Sequence, residues 1–85
     1  MYEHIVFDGA RHESVARHPA LRERACVVSS FGKTYHTTGW KVGYVAAPQA
    51  LTAEIQRVHQ FVTFATNTPA QQAYAEFTRR RAHYD

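Results

Sequence analysis

SSFGKTYHTTGWKVGY, running from Ser29 to Tyr44, holds one lysine between a glycine and a threonine and a second lysine eight residues further on. What Lys33 does decides the fold. If it grips a nucleotide phosphate the chain is an ATP binder; if its amine does covalent chemistry the chain is something else. A phosphate loop ends in Gly-Lys-Thr, as Gly32-Lys33-Thr34 does, but it also needs a glycine five residues before Gly32, where backbone amides approach the phosphates. That position is Val27. The nucleotide reading further asks for a helix opening at the lysine, and Gly39 with the strand-like run after it argues against one.

Covalent lysine chemistry asks for different neighbours. Ser30 precedes Lys33 by three residues, at the end of an apolar run, where a turn can present a hydroxyl and an amine to one ligand. Lys41 stands between Gly39 and Gly43, small residues that permit close backbone approach. A hydroxyl and a second cation beside a reactive lysine suit a phosphorylated carbonyl cofactor, with Ser30 and Lys41 on the phosphate and Lys33 on the aldehyde. A neighbouring cation and desolvation would keep the Lys33 amine nucleophilic near neutral pH. From the pattern alone, a solvated surface lysine stands beside this reading.

On either side of the lysine stretch the chain alternates strand-like and helix-like runs. Tyr2 to Phe7 is apolar and β-prone and stops at Asp8-Gly9, so it is expected to be the tail of a strand. Ser14 to Ala16 and Pro19 to Arg24 suggest short helical turns, with Pro19 at a first helical position. Ala25 to Ser30 has the length and β-branched centre of a strand covered on both faces, and Val42 to Ala47 is a second such run. After Pro48, Leu51, Ile55, Val58 and Val62 fall at helical spacing on one face, a core-facing stripe. Thr68-Pro69-Ala70-Gln71 signals the next helix, with Thr68 as cap and Ala70, Ala73, Tyr74 and Phe77 as its core stripe. The order is α/β, and no linker divides residues 1–85. Parallel strands need crossover helices and cover on both faces, which these segments do not supply, so the chain reads as part of a larger sheet domain.

Composition narrows the partners. The chain has 85 residues, 45% of them hydrophobic and 20% charged, an ordinary globular balance. A single cysteine, Cys26, permits neither an internal disulfide nor a cysteine-based zinc cage, and its apolar neighbours suggest a small buried hydrophobe. His12-Glu13 opens like a zinc-protease motif, but Ala16 stands where the second histidine belongs. His4, His18, His36, His59 and His83 show no ligand spacing either, so no metal is expected. A net charge of +3, most visible at Arg79-Arg80-Arg81, reads as a solvated helix end that complements the helix dipole, so no nucleic-acid partner is expected. With neither a leader nor a run of about 18 apolar residues, no membrane is expected and the cytoplasm is the expected compartment.

Ser-x-x-Lys followed by Gly-Trp-Lys-Val-Gly, as it stands in SSFGKTYHTTGWKVGYVAAP, resembles the pyridoxal-phosphate lysine region of class I/II aminotransferases of fold type I. It is especially similar to the branch of kynurenine, glutamine and methionine aminotransferases. The specific part covers Ala25 to Pro48, and the likeness extends more loosely through YEHIVFDG and RVHQFVTFATNTPAQQA. The resemblance implies that Lys33 forms the Schiff base with pyridoxal 5'-phosphate and shuttles a proton between substrate and cofactor. Ser30 matches the serine on the cofactor phosphate. Lys41 takes the place where many relatives carry arginine, a point charge in place of a two-pronged fork. Tyr2 matches a tyrosine that bonds the ring oxygen of the cofactor, and Phe64 a position that reaches the partner subunit's substrate pocket.

The same resemblance implies absences. With Tyr2 as the last member of an Asp-x-x-Tyr motif, the aspartate that keeps the pyridine nitrogen protonated would precede Met1. The upstream phosphate turn, the asparagine beside the ring and the arginine for the substrate carboxylate are not matched. The chain is therefore expected to be a partial fragment of the large cofactor-binding domain, inactive alone, from a homodimer that moves an amino group from an amino acid to a 2-oxo acid. A β-lyase on the same scaffold and a noncatalytic fragment that only associates with other chains are the alternatives.

Overall fold

A computed structural model describes residues 2–80. At its centre is an antiparallel hairpin of β1 (Val27–Ser30) and β2 (Gly43–Ala46), in the register Val27 to Ala46, Val28 to Val45, Ser29 to Tyr44 and Ser30 to Gly43. The pairing continues one step past the strands, where the Phe31 amide donates to the Val42 carbonyl at 3.1 Å. Before the hairpin come a 3-10 turn (Val15–Arg17), capped by the Ser14 hydroxyl, and α1 (Pro19–Arg22) with proline in its first turn, both where the sequence suggests them. The strands are joined by a one-turn helix, α2 (Phe31–Thr34), and a second 3-10 turn (Thr38–Trp40).

Two longer helices follow. Helix α3 (Gln49–Val62) begins directly after Pro48, and α4 (Thr68–Thr78) carries Pro69 in its first turn. The cap of α4 is Asn67, one residue earlier than expected: its side-chain oxygen accepts from the Ala70 amide at 3.1 Å. An Asn side chain reaches that amide as readily as a hydroxyl does, and Thr68 is left as the first helical residue.

Three apolar side chains are buried among the described residues: Val42, Ala70 and Tyr74, with Phe31 and Tyr35 packed against them. The core thus lies where α4 meets the connection between the strands. Ala70 and Tyr74 confirm the stripe expected for α4, although Ala73 is exposed.

Elsewhere the apolar faces are open. The stripe of α3 has no buried residue; Val58 and Val62 are 63% and 78% exposed. Val28, expected to be covered on both faces, is 64% exposed, with α3 standing over its face of the hairpin across an open cavity. Tyr2 to Phe7 forms no strand. It turns, with the Ile5 amide bonded to the Tyr2 carbonyl at 3.0 Å, since the sheet offers no third strand for it to pair with. Cys26 is exposed, contrary to its apolar context. The accessible surface is 7167 Å²; a self-contained monomer of this mass exposes about 5,100 Å². The radius of gyration, 14.7 Å, likewise exceeds the roughly 12 Å of a compact chain of this length. The segment has the shape of a partial α/β layer.

Candidate active site

The antiparallel register gathers the lysine pair. Ser30 closes β1 and faces Gly43 at the start of β2, so the connection from 31 to 42 leaves and returns at one end of the hairpin. Lys33 lies in α2 just after Ser30, and Lys41 lies two residues before Gly43. The closeness of the strands depends on Gly43: a Cβ there would sit 2.4 Å from the Ser29 carbonyl oxygen. Gly39, expected to act in the same way, has open space around it.

Within the connection, Gly32 draws the two turns together. Its carbonyl accepts the Thr37 amide at 3.0 Å and the Thr38 hydroxyl at 3.2 Å. A Cβ on Gly32 would meet the Thr38 Cα at 2.9 Å, so the approach needs glycine. The Thr34 hydroxyl donates back to the Ser30 carbonyl at 3.3 Å. The helical turn at the lysine, argued against from Gly39, does exist, but it is one turn beginning at Phe31 and not the long helix a phosphate loop feeds.

Helix α4 closes the connection from one side. Tyr74 stacks on Phe31 with ring centroids 4.7 Å apart, lies 5.9 Å from Tyr35 and 5.4 Å from Trp40, and shares a hydrogen bond with the Thr37 hydroxyl. These aromatic residues were not singled out as site residues from the sequence. The available signals were the four-residue spacing of Phe31 and Tyr35 and the place of Tyr74 on the apolar stripe of α4.

Lys33 and Lys41 are both exposed, and neither is paired with a carboxylate among the described residues. The desolvation expected around Lys33 is therefore not supplied by these residues. The Ser30 hydroxyl makes no hydrogen bond to the helical turn that follows it. One free hydroxyl and two unpaired ammonium groups at one end of a hairpin form a donor set that fits a phosphorylated aldehyde. Lys41 has φ 55°, in the left-handed region that non-glycine residues rarely occupy. Phe64 shares that conformation at φ 65°, just past α3, as do Asp8 and His36. Tyr2 and Phe64 are exposed, and among the described residues neither shares a hydrogen bond or ring contact with Lys33 or Lys41.

Among the described residues no three histidine, cysteine or acidic side chains gather as a metal site, and no helix is long and apolar enough to cross a membrane. Glu13 engages Arg17 and His18 at 3.5 and 3.2 Å. Arg80 pairs with Glu76, in keeping with a solvated helix end; Arg81 and His83 lie outside the described residues.

The family model "Aminotransferase class I and II" matches residues 1–84. A methionine aminotransferase of Escherichia coli is 60% identical over 85 residues, 99% of this chain and 22% of that protein. Kynurenine–oxoglutarate transaminase of Dictyostelium discoideum is 41% identical over 75 residues, 88% of this chain and 17% of that one. A crystal structure of an Escherichia coli protein identified as having a methionine aminotransferase function superposes with TM-score 0.91 at 59% identity, over 98% of this chain and 22% of that one. The chain thus spans about a fifth of the length of these relatives.

Proposed function

Because the chain belongs to the class I and II aminotransferase family, we propose that it carries the cofactor-lysine segment of an enzyme that moves an amino group from an amino acid to a 2-oxo acid. The observation that supports this reading is that Ser30, Lys33 and Lys41 all lie at the end of the β1–β2 hairpin where the connection leaves and returns, with neither lysine paired to a carboxylate among the described residues. Bound there, pyridoxal phosphate supplies an aldehyde for an amine and a ring that draws electrons from the substrate.

The chain's own residues then have distinct tasks. Lys33 Nζ would hold the aldehyde end of the cofactor and, when not so engaged, would be the group that accepts a proton and gives it back. The Ser30 hydroxyl donates to a phosphate oxygen, and Lys41 Nζ neutralises phosphate charge. Tyr2 donates its phenolic hydrogen to the ring oxygen. Phe64, exposed at the end of α3, faces the substrate of a partner subunit in a cytoplasmic homodimer. The amino donor carries a sulfur-containing or aromatic side chain; the methionine and kynurenine activities named for relatives at 60% and 41% identity support that choice.

Titration of the chain with pyridoxal phosphate, borohydride reduction and peptide mapping tests the reading. The reduced adduct is expected on Lys33 and absent from Lys33→Ala. An adduct mapped to another side chain rejects the assignment.

A further inference from the structure

Phe31 and Tyr35 are four residues apart and share one face of their helical turn, whereas Lys33, two residues from each, is rotated roughly 200° away. Tyr74 occupies that shared face, stacked 4.7 Å from Phe31 and 5.9 Å from Tyr35. Seating the two rings against α4 therefore turns Lys33 outward. The Tyr74 ring also meets Trp40, the residue before Lys41, at 5.4 Å. Its hydroxyl is bonded to that of Thr37, which lies four residues from each lysine. Tyr74 itself is only 5% exposed.

We propose that Tyr74 is a positioning residue that fixes Lys33 and Lys41 relative to each other by clamping the connection between them, and so sets the preference of the pair for a phosphorylated aldehyde. This rests on the reading of Lys33 as the cofactor amine. The ring and the hydroxyl divide the task. Stacked rings tolerate sliding and rotation, whereas a hydrogen bond is directional and fixes the register of the turn it holds. Thr37 is where such a bond has most effect, since a shift there moves both lysines.

Two variants of the full chain remove the bond from opposite sides while keeping every ring: Tyr74→Phe and Thr37→Val. If one fails to fold, the other still decides. In cofactor-free protein, amide hydrogen exchange over residues 33–41 is expected to quicken about five- to tenfold, the effect of one ordinary hydrogen bond. Amides of β1, β2 and α3 are expected to stay unchanged. In parallel, borohydride trapping at Lys33 is compared for pyridoxal phosphate and for pyridoxal, which lacks the phosphate. The ratio of the two rates is expected to fall by a similar factor, through the phosphorylated aldehyde alone.

Unchanged exchange over 33–41, a rise spread evenly along the chain, or an unchanged ratio overturns the positioning role. If Lys33→Ala is trapped as efficiently as the parent chain, the cofactor reading itself fails, and the phosphate preference with it. The exchange measurement then upholds or overturns the clamp by itself.

Discussion

The backbone of Gly43 lies against the Ser29 carbonyl so closely that a Cβ on the glycine would stand 2.4 Å from that oxygen. Both residues belong to strands, so neither can swing aside as a flexible side chain would. Gly43→Ala is expected to push β2 away from β1 and to destabilise the chain by about 1–3 kcal/mol, as overpacking does. It is also expected to move Lys41 away from Ser30 and, if these residues hold the cofactor phosphate as proposed, to weaken pyridoxal phosphate binding. Gly39→Ala is the control: its Cβ would meet nothing within 4 Å, and a change within about 0.5 kcal/mol is expected. Denaturant unfolding of both variants checks the pair. Equal losses would show that the close approach at Gly43 has no energetic weight.

Lys41 permits stability and binding to be separated. Its left-handed φ of 55° costs a non-glycine residue about 1–2 kcal/mol. Lys41→Gly is expected to remove part of that strain and raise stability by about 0.5–1 kcal/mol. If Lys41 holds the cofactor phosphate as proposed, the same change deletes a charged hydrogen bond of about 1.5–3 kcal/mol, and pyridoxal phosphate affinity is expected to fall roughly 10- to 100-fold. Lys41→Arg keeps the charge and the strain and is expected to keep most of the affinity. Calorimetric melting and cofactor titration of the two variants give the comparison.

The local elements that carry the candidate site were easier to read from the sequence than the layers around them. Ser30, Lys33 and Lys41 stand out by residue type and spacing, and the pairing of Ser30 with Gly43 puts all three at one end of the hairpin. Helices α3 and α4 were legible for a similar reason: a 3.6-residue period and a proline at the start act locally. Tyr2 to Phe7 was misread because strand propensity takes effect only when a neighbouring edge is available to pair with. Cys26 and Val28 are exposed despite their apolar neighbours, since burial depends on layers that these 85 residues do not supply. The clamp at Tyr74 was hidden because it joins residues 37 positions apart, a distance no periodicity encodes.

Asn67 links the start of α4 to the lysine connection. Its side chain accepts the Ala70 amide at 3.1 Å, and one turn later Tyr74 packs on Phe31. Asn67→Ala is expected to cost about 1 kcal/mol. The faster amide exchange should begin at the first turn of α4 and spread to residues 31–42. Asn67→Asp or Asn67→Ser, which keep an acceptor oxygen, are expected to restore protection in both places. Exchange that rises at the helix start alone would show that α4 and the connection are not coupled.

Helix α3 presents apolar side chains in two different settings, and its variants should respond differently. Ile55 lines a cavity of about 340 Å³ with Val28, Tyr44 and Val45 of the hairpin, whereas Phe61 and Val62 stand in solvent at 86% and 78% exposure. Ile55→Ala is expected to destabilise the 85-residue chain by about 1–2 kcal/mol, below the cost at a fully packed site because the side chain is only partly covered. Val62→Ala is expected to change stability by less than about 0.5 kcal/mol. Phe61→Lys instead acts between molecules: an exposed aromatic beside an apolar stripe promotes association, and a charge there opposes it. Sedimentation is expected to show less self-association for Phe61→Lys than for the parent chain, with helix content by circular dichroism unchanged. A loss of helix content on that substitution would mean that the Phe61 ring holds α3 in place within a single chain, contrary to its exposure.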